Sequence, residues 1–518
     1  MSESTPRRSI LRSGMIVSAM TLLSRVLGLV RDIVIAALVG AGGAADAFFI
    51  AFKIPNFLRR LFAEGAFNQA FVPVLSEYVE QKTQQEVQRL VNAVAGCLGL
   101  VLTLVTGLAM LGAPLLVWLF APGFSQSPDK LALTADLLRM TFPYLLLISL
   151  TAFSGSILNT KDRFAVPAFT PVLLNISLIA AAWGLTPYVS EPAVALAWGV
   201  LIAGVAQLSL QLPFLAQVGL LPRPQLVWQH EGVRRILTLM TPALFGVSVS
   251  QINLLLDTVL ASFLVDGSVG WLYYSDRLVE LPLGVIGVAI GTVILPTLSR
   301  QHASADQERF AVLMDWALRM VILVGVPAAV ALILLAEPLL ATLFQYGAMT
   351  AHDTAMAAMS LRAYALGLLA FMLIKVLAPG YFARQDTRTP VKVAIKAMIA
   401  NMVLNLLLIG PLAHAGLALA TALSAFMNAG LLAWGLHREG VLKRQPGWGR
   451  FILQLLLALV GMLAVLYGLM PEVSQWTRWT LEHRIVHLLI LVGSGLLSYL
   501  MLLLLTGVRL RHLRGPLH

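Results

Sequence analysis

Eight charged side chains fall within the first two long apolar stretches of the chain: Arg25, Arg31, Asp32, Asp46, Lys53, Arg59, Arg60 and Glu64. A charge near a bilayer centre costs about 2.5–3.5 kcal/mol on insertion scales, so such residues must face a wet cavity or one another. Arg25 and Asp32 are seven residues apart, two helical turns, and so share a face. Arg60 and Glu64 are four apart and placed to pair. Lys53-Ile54-Pro55-Asn56 interrupts the second stretch. Pro55 removes a backbone donor there and predicts a kink. Spacing does not fix the direction of Arg59 beyond that kink. Snorkelling to the interface stays open for Asp46 and Glu64; Arg31 and Asp32 lie many residues into the first stretch, which favours a functional role.

A second group stands later, in Tyr273-Tyr274-Ser275-Asp276-Arg277-Leu278-Val279-Glu280. Asp276 and Glu280 form an i,i+4 acidic pair, with Arg277 between them on another face. Arg31, Arg59 and Arg277, brought together across a cavity, would suit phosphate, because each guanidinium offers a planar fork of donors. A pocket for a cationic drug would want the opposite sign. Elsewhere, Asp257 sits in an apolar stretch with no basic neighbour, Asn401 and Asn405 are four apart, and Thr421 stands later in the same region. Carboxylate, amide and hydroxyl oxygens are hard ligands suited to Na⁺. A packing role, or a proton relay through Asp257, reads the same in sequence. Arg139, Arg319, Arg362 and Lys375 are weaker candidates, each able to pair locally or snorkel.

The elements that must position these residues are membrane helices. Of 518 residues, 58% are hydrophobic and 12% charged, about half the charge density of a soluble protein; the mean hydropathy is +0.84. Apolar segments near 13–38, 46–76, 90–118, 131–157, 165–185, 193–219, 236–264, 270–298, 310–335, 354–382, 391–410, 414–436, 450–470 and 485–507 predict about fourteen spans of about 20 residues or more. The division near Gly410–His414 is the least secure. Basic residues concentrate in alternate loops, and the other set holds little beyond Lys130, Arg478 and Arg484. That asymmetry puts both termini in the cytoplasm and explains the net charge of +11 without nucleic acid. The first span is expected to stay, because Arg25, Arg31 and Asp32 interrupt any signal-like core. A lone cysteine, Cys97, excludes an internal disulfide. No G-x-x-x-x-G-K-[ST] or H-E-x-x-H motif occurs.

The chain also repeats itself. Ala70-Phe71-Val72-Pro73 resembles Val293-Ile294-Leu295-Pro296, Asp162-Arg163 resembles the Asp386–Arg388 turn, and Asp32 matches Asp257, all at offsets of 223 to 225. An offset of six spans keeps orientation, so the repeat is parallel, with a pseudo-two-fold axis along the membrane normal. The expected architecture is all-α: two six-helix lobes, 1–222 and 223–440, followed by two extra helices and a cytoplasmic tail in 441–518. Such lobes suit alternating access around a central cavity.

Taken together, Ser24-Arg-Val-Leu-Gly28, Arg31-Asp32, Asp46-Ala-Phe-Phe49, Phe52-Lys-Ile-Pro-Asn-Phe-Leu-Arg-Arg60, Phe62-Ala-Glu-Gly-Ala-Phe67, Phe142-Pro-Tyr144, Gly246-Val-Ser-Val-Ser-Gln251, Tyr273-Tyr-Ser-Asp-Arg-Leu278, Phe344-Gln-Tyr-Gly347, Lys375-Val-Leu-Ala-Pro-Gly380 and Arg384-Gln-Asp386 resemble the MurJ (MviN) lipid II flippases, in the superfamily that includes multidrug exporters. The resemblance implies a flippase of the bacterial cytoplasmic membrane, moving undecaprenyl-pyrophosphate-linked peptidoglycan precursor to the outer leaflet, with the cell-wall synthesis machinery as a further partner. It carries substrate roles onto Arg25, Arg31, Asp32, Arg59 and Arg277, with Asp46 and Glu64 as supporting charges. It also implies a tail groove beside the last two helices, and Na⁺ binding at Asp257, Asn401, Asn405 and Thr421 in some members. No catalytic residue or cofactor is expected beyond Na⁺, proton or membrane-potential coupling. A cation-coupled exporter of drugs or of another lipid-linked oligosaccharide, and a membrane enzyme acting on polyprenyl phosphates, are the competing readings.

Overall fold

A computed structural model describes residues 5–289, 297–298, 307–443 and 445–508, without the side chains of 5–13, 15, 63, 64, 245–247, 249, 250, 253, 254, 285–289, 307, 473, 474 and 477. Among the described residues the chain is helical and contains no strand. Helix α1 is Thr5–Val39, and α2 is Gly43–Leu58; a π-helical segment, Arg59–Phe67, leads into α3, Asn68–Gln81. Next come α4 (Gln84–Leu111), α5 (Ala113–Phe120), α6 (Pro128–Thr141), α7 (Pro143–Thr160), α8 (Ala165–Gly184), α9 (Pro192–Gln217), α10 (Glu231–Ala261) and α11 (Ser268–Ala289). The remainder is α12 (Gln307–Leu334), α13 (Ala336–Leu343), α14 (Ala351–Phe382), α15 (Arg388–Arg438), α16 (Trp448–Leu469), α17 (Val473–Arg478) and α18 (Leu481–Leu505).

Nine helical runs among the described residues are long and apolar enough to cross a membrane. One of them, α15, has 51 residues, which at 1.5 Å each is about 75 Å, over twice a bilayer's hydrocarbon core. It is two helices joined at Ala413 (φ 46, ψ −128), which settles the division around Gly410–His414. The run α2–α3 and helices α1, α10 and α11, which hold most of the charged cluster, fall on the other four expected spans.

Sequence-local chemistry sets the helix ends. Thr83 opens α4 with a reciprocal capping box: its hydroxyl accepts from Glu86 N–H, and Glu86 accepts from Thr83 N–H at 3.0 Å. Thr350 and Asp353 repeat the device at α14. Helices α7 and α14 end alike. Arg163 N–H reaches back to Leu158 O past Asp162 at φ 57, and Asp386 N–H reaches Tyr381 O past Gln385 at φ 61. This geometry sets Asp162 opposite Gln385, one residue from the Asp162–Asp386 match read in sequence. The repeat's Pro296 landmark lies outside the described residues. Asp386 also caps α15, and its bonds from Thr389 hold its carboxyl below the usual carboxylate range.

The chain forms two compact units, Met1–Gly270 and Trp271–His518. In the first, α1 packs on α8, α8 and α7 on α9, α2 on α6, and α10 on the π-helical segment and α3. Phe67, Phe71 and Phe153 interlock at its core, with ring centroids 5.0–6.2 Å apart. In the second, α14 packs on α12 and α15, and α16 on α18. Arg484, buried at the start of α18, donates to Trp476 O at 3.0 Å and Ala341 O at 2.9 Å. It thereby caps the carbonyl end of α13 and ties the start of α18 to it.

Candidate functional site

Arg31 and Asp32 lie on α1 where it packs against α8, and both are buried. Arg31 donates from Nε (3.0 Å) and Nη2 (2.7 Å) to the same oxygen, Asp32 Oδ1. Its Nη1 donates to Asn175 Oδ1 on α8 at 3.0 Å. Asp32 therefore engages its chain neighbour, whereas sequence spacing had set it on a face with Arg25; Arg25 itself is exposed. Asn175 was missed because a lone amide in an apolar helix has no spacing partner to announce it.

Helix α2 continues through Pro55 as far as Leu58. A proline at 55 leaves the carbonyl of Ala51 without its helical donor. The hydroxyl of Thr141, fully buried on α6, donates to that carbonyl at 2.9 Å. The irregularity comes one turn later, in the π-helical segment Arg59–Phe67. A π-helical turn carries an extra residue and rotates the helix beyond it, so a 3.6-residue wheel misplaces everything past residue 58. Arg59 sits at its first position, half-buried, with Nε donating to Asn56 Oδ1 at 3.2 Å. The Glu64 side chain lies outside the described residues, so its expected pairing with Arg60 does too. Thr141→Val is expected to cost about 1 kcal/mol, from one orphaned buried carbonyl, read as a lower unfolding midpoint of purified protein.

Asp46 opens α2 at 1% exposure. Its Oδ2 accepts from Gly267 N–H (2.8 Å) and Lys130 Nζ (3.0 Å), and its Oδ1 from Gly270 N–H (2.9 Å). A carboxylate from α2 thus caps the first turn of α11, where the unsatisfied N–H groups and the helix dipole both favour negative charge. Lys130, on α6, also bonds Asp266 at 2.7 Å and stands 4.1 Å from the Phe124 ring centroid. Close packing holds the loop. A Cβ at Gly270 would lie 3.1 Å from Ala41, and one at Gly123 would run into the backbone of Ser262, whose hydroxyl accepts from Gly123 N–H. Asp46 is therefore engaged in protein rather than snorkelling. Lys130 entered the sequence reading only as a loop charge, because its partners are far away in the chain.

In the second unit Arg277 bonds Glu280 at 2.8 Å, one turn along α11, and its guanidinium lies over Tyr273, 4.8 Å from the ring centroid. The sequence reading had set Arg277 apart from the Asp276/Glu280 pair; the i,i+3 reach of a long arginine brings it to Glu280. Asn405 Nδ2 donates to Asn401 Oδ1 at 2.7 Å, and Asn401 Nδ2 bonds Thr421 and Ser424 hydroxyls at 3.3 Å each. Three of the four expected cation ligands thus share one network on α15, with Ser424 added; Asn401, Asn405 and Ser424 are buried and Thr421 half-buried. Asp257 is half-buried on α10 of the first unit. Among the described residues no group of three or more His, Cys, Asp or Glu side chains gathers to hold a metal. The weaker candidates pair locally: Arg139 with Asp136, Arg319 with Asp315 and Arg362 with Glu337, while Lys375 is exposed.

The family described as "Lipid II flippase MurJ" matches residues 35–487. A "Probable lipid II flippase MurJ" of Vibrio cholerae serotype O1 is 51% identical over 524 residues, covering 99% of both chains. The "Lipid II flippase MurJ" of Burkholderia cenocepacia is 44% identical, covering 91% of this chain and 92% of its own. A solved structure titled "Lipid II flippase MurJ, inward closed conformation" superposes with a TM-score of 0.80 at 28% identity, over 94% of this chain and 98% of that one. An inward-facing multidrug resistance MATE family transporter gives 0.65 at 13% identity, over 83% and 99%. At that identity the likeness speaks for the fold alone.

Proposed function

Since the chain belongs to the MurJ family of lipid II flippases, we propose that it carries lipid II from the inner to the outer leaflet of the bacterial cytoplasmic membrane by alternating access, both termini cytoplasmic. The observation that carries this reading is a relationship running the full length of the chain at 51% identity. The protein is a transporter, not an enzyme, and needs no nucleophile. Its task is to lower the cost of moving a charged, sugar-bearing headgroup through hydrocarbon.

The division into lobes 1–222 and 223–440, with 441–518 appended, belongs to this proposal. So does the assignment of Arg31, Arg59 and Arg277 to the pyrophosphate, with Arg25, Asp32, Asp46 and Glu64 balancing charge around them. Guanidinium forks recognise phosphate bidentately and stay charged in any environment. Asp257, Asn401, Asn405 and Thr421 are the residues we assign to Na⁺ coupling, with proton or membrane-potential drive as the alternatives. A potential of 100 mV supplies about 2.3 kcal/mol per charge moved. Handover of the lipid to cell-wall synthesis enzymes completes the proposed role.

The test is the amount of lipid II accessible at the outer leaflet, with and without the protein, as Na⁺ or voltage gradients are collapsed in turn. Loss of accessibility on depletion is the expected result. Undiminished peptidoglycan synthesis in depleted cells would overturn the reading.

A further inference from the structure

The long run α15 breaks at Ala413, whose φ of 46° is a left-handed value that a residue with a side chain adopts only under strain. The next residue, His414, is 3% exposed. Its Nε2 lies 2.9 Å from Met356 O on α14. A carbonyl only accepts, so Nε2 carries the proton of the neutral ring and Nδ1 holds a lone pair. Nδ1 is buried, and among the described residues nothing bonds it. Trp271, at the start of α11 and itself buried, packs on the ring with centroids 4.8 Å apart. Three elements therefore meet at this imidazole: the join of α15, the first turns of α14 and the start of α11.

The surroundings hold no acceptor ready for a second proton. Trp271 gives its indole N–H to Asp353 Oδ1 at 2.9 Å. The other oxygen of Asp353 accepts from the N–H and hydroxyl of Thr350, at 3.0 and 2.6 Å, in the cap of α14. His352, the other titratable group that α14 places here, is exposed and meets Trp271 edge-on with centroids 5.9 Å apart. The join itself, Gly410-Pro-Leu-Ala-His-Ala-Gly416, adds no further titratable side chain. A protonated ring would thus bury a charge and an unbonded N–H, which the attraction of one indole face only partly offsets. Releasing the ring to water relieves both. It also gives up the Met356 bond that ties the join to α14, and frees the strained Ala413 to relax. We infer that His414 is a proton-operated catch on the α15 join: neutral, it pins the join against α14 and α11, and protonated, it lets go. The join lies between the spans expected to end at 410 and to begin at 414, so the catch meets the pH at a face of the membrane.

Hydrogen–deuterium exchange of the full-length protein in nanodiscs, read by mass spectrometry over the join, tests it. A histidine in water takes up its proton near about pH 6.5, and here only the released ring can hold it. Opening of the join should therefore rise about tenfold from pH 7.5 to pH 5.5, once the intrinsic pH dependence of exchange is divided out. His414→Gln places an amide donor near the position of Nε2 and cannot titrate, so its join should stay closed across that range. His352→Gln changes an exposed ring that the catch does not use, and should keep the parental rise. A flat profile in the parent protein would overturn the inference, with no variant needed. So would a parental rise in His414→Gln, or a rise that disappears in His352→Gln.

Discussion

Replacing Arg31, Arg59 or Arg277 with alanine is expected to abolish rescue of a strain depleted of its lipid II flippase, while the protein still accumulates in the membrane. Hydrogen bonds to charged groups contribute about 1.5–3 kcal/mol each. A guanidinium that gives two to a diphosphate therefore lowers transport at least about 100-fold when removed. The three sites differ in what else they lose. Arg31→Ala strips Asp32, at 2% exposure, of the guanidinium it bonds, so this variant should also show a lowered unfolding midpoint. Arg277 bonds Glu280 at a half-exposed site, and its loss should barely change stability. Lysine separates charge from shape: Arg31→Lys keeps the cation but cannot span Asp32 and Asn175 at once, so it should remain defective. Full rescue by all three alanine variants would refute the arginine assignment.

The second large effect is expected at Lys130. Lys130→Met leaves Asp46 and Asp266 facing one another with their shared cation removed. Stripping one partner from a buried pair costs about 3–5 kcal/mol. Asp46 keeps its two amide donors from the start of α11, so the fold should survive with a clearly lower midpoint. Lys130→Met combined with Asp46→Asn removes both charges and should recover much of that loss, because the amide of asparagine still accepts from one N–H. The measurement is a double-mutant cycle on thermal unfolding. Additive losses would mean that the 3.0 Å contact carries no coupling.

Most of the fold was legible in the sequence. Apolar length gave the long helices, since hydropathy is a local property, and nine runs among the described residues are long and apolar enough to cross a membrane. The join in α15 is legible too: the expected spans 391–410 and 414–436 leave a gap, and the backbone breaks inside it at Ala413. The site was legible in residue type and poorly legible in partnership. Arg31, Asp32, Asp46 and Arg277 all stand in charged contacts, and helical spacing named none of these partners. Asn175 and Lys130 lie 144 and 84 residues from the groups they bond. No periodicity reports such distances. The direction of Arg59 was lost to a π-helical turn, which sequence patterns written for 3.6 residues per turn do not detect.

The Thr141 hydroxyl bound to the Ala51 carbonyl has a consequence for how this chain can change over time. The bond matters only because residue 55 is a proline. If Pro55 is first replaced by alanine, its new N–H takes up that carbonyl, and Thr141 can then drift to valine at no penalty. In the reverse order the intermediate carries an orphaned carbonyl. Two positions 86 residues apart are thus tied into a one-way street: the proline can be lost freely, but it can be regained only in a background that already holds a hydroxyl at 141.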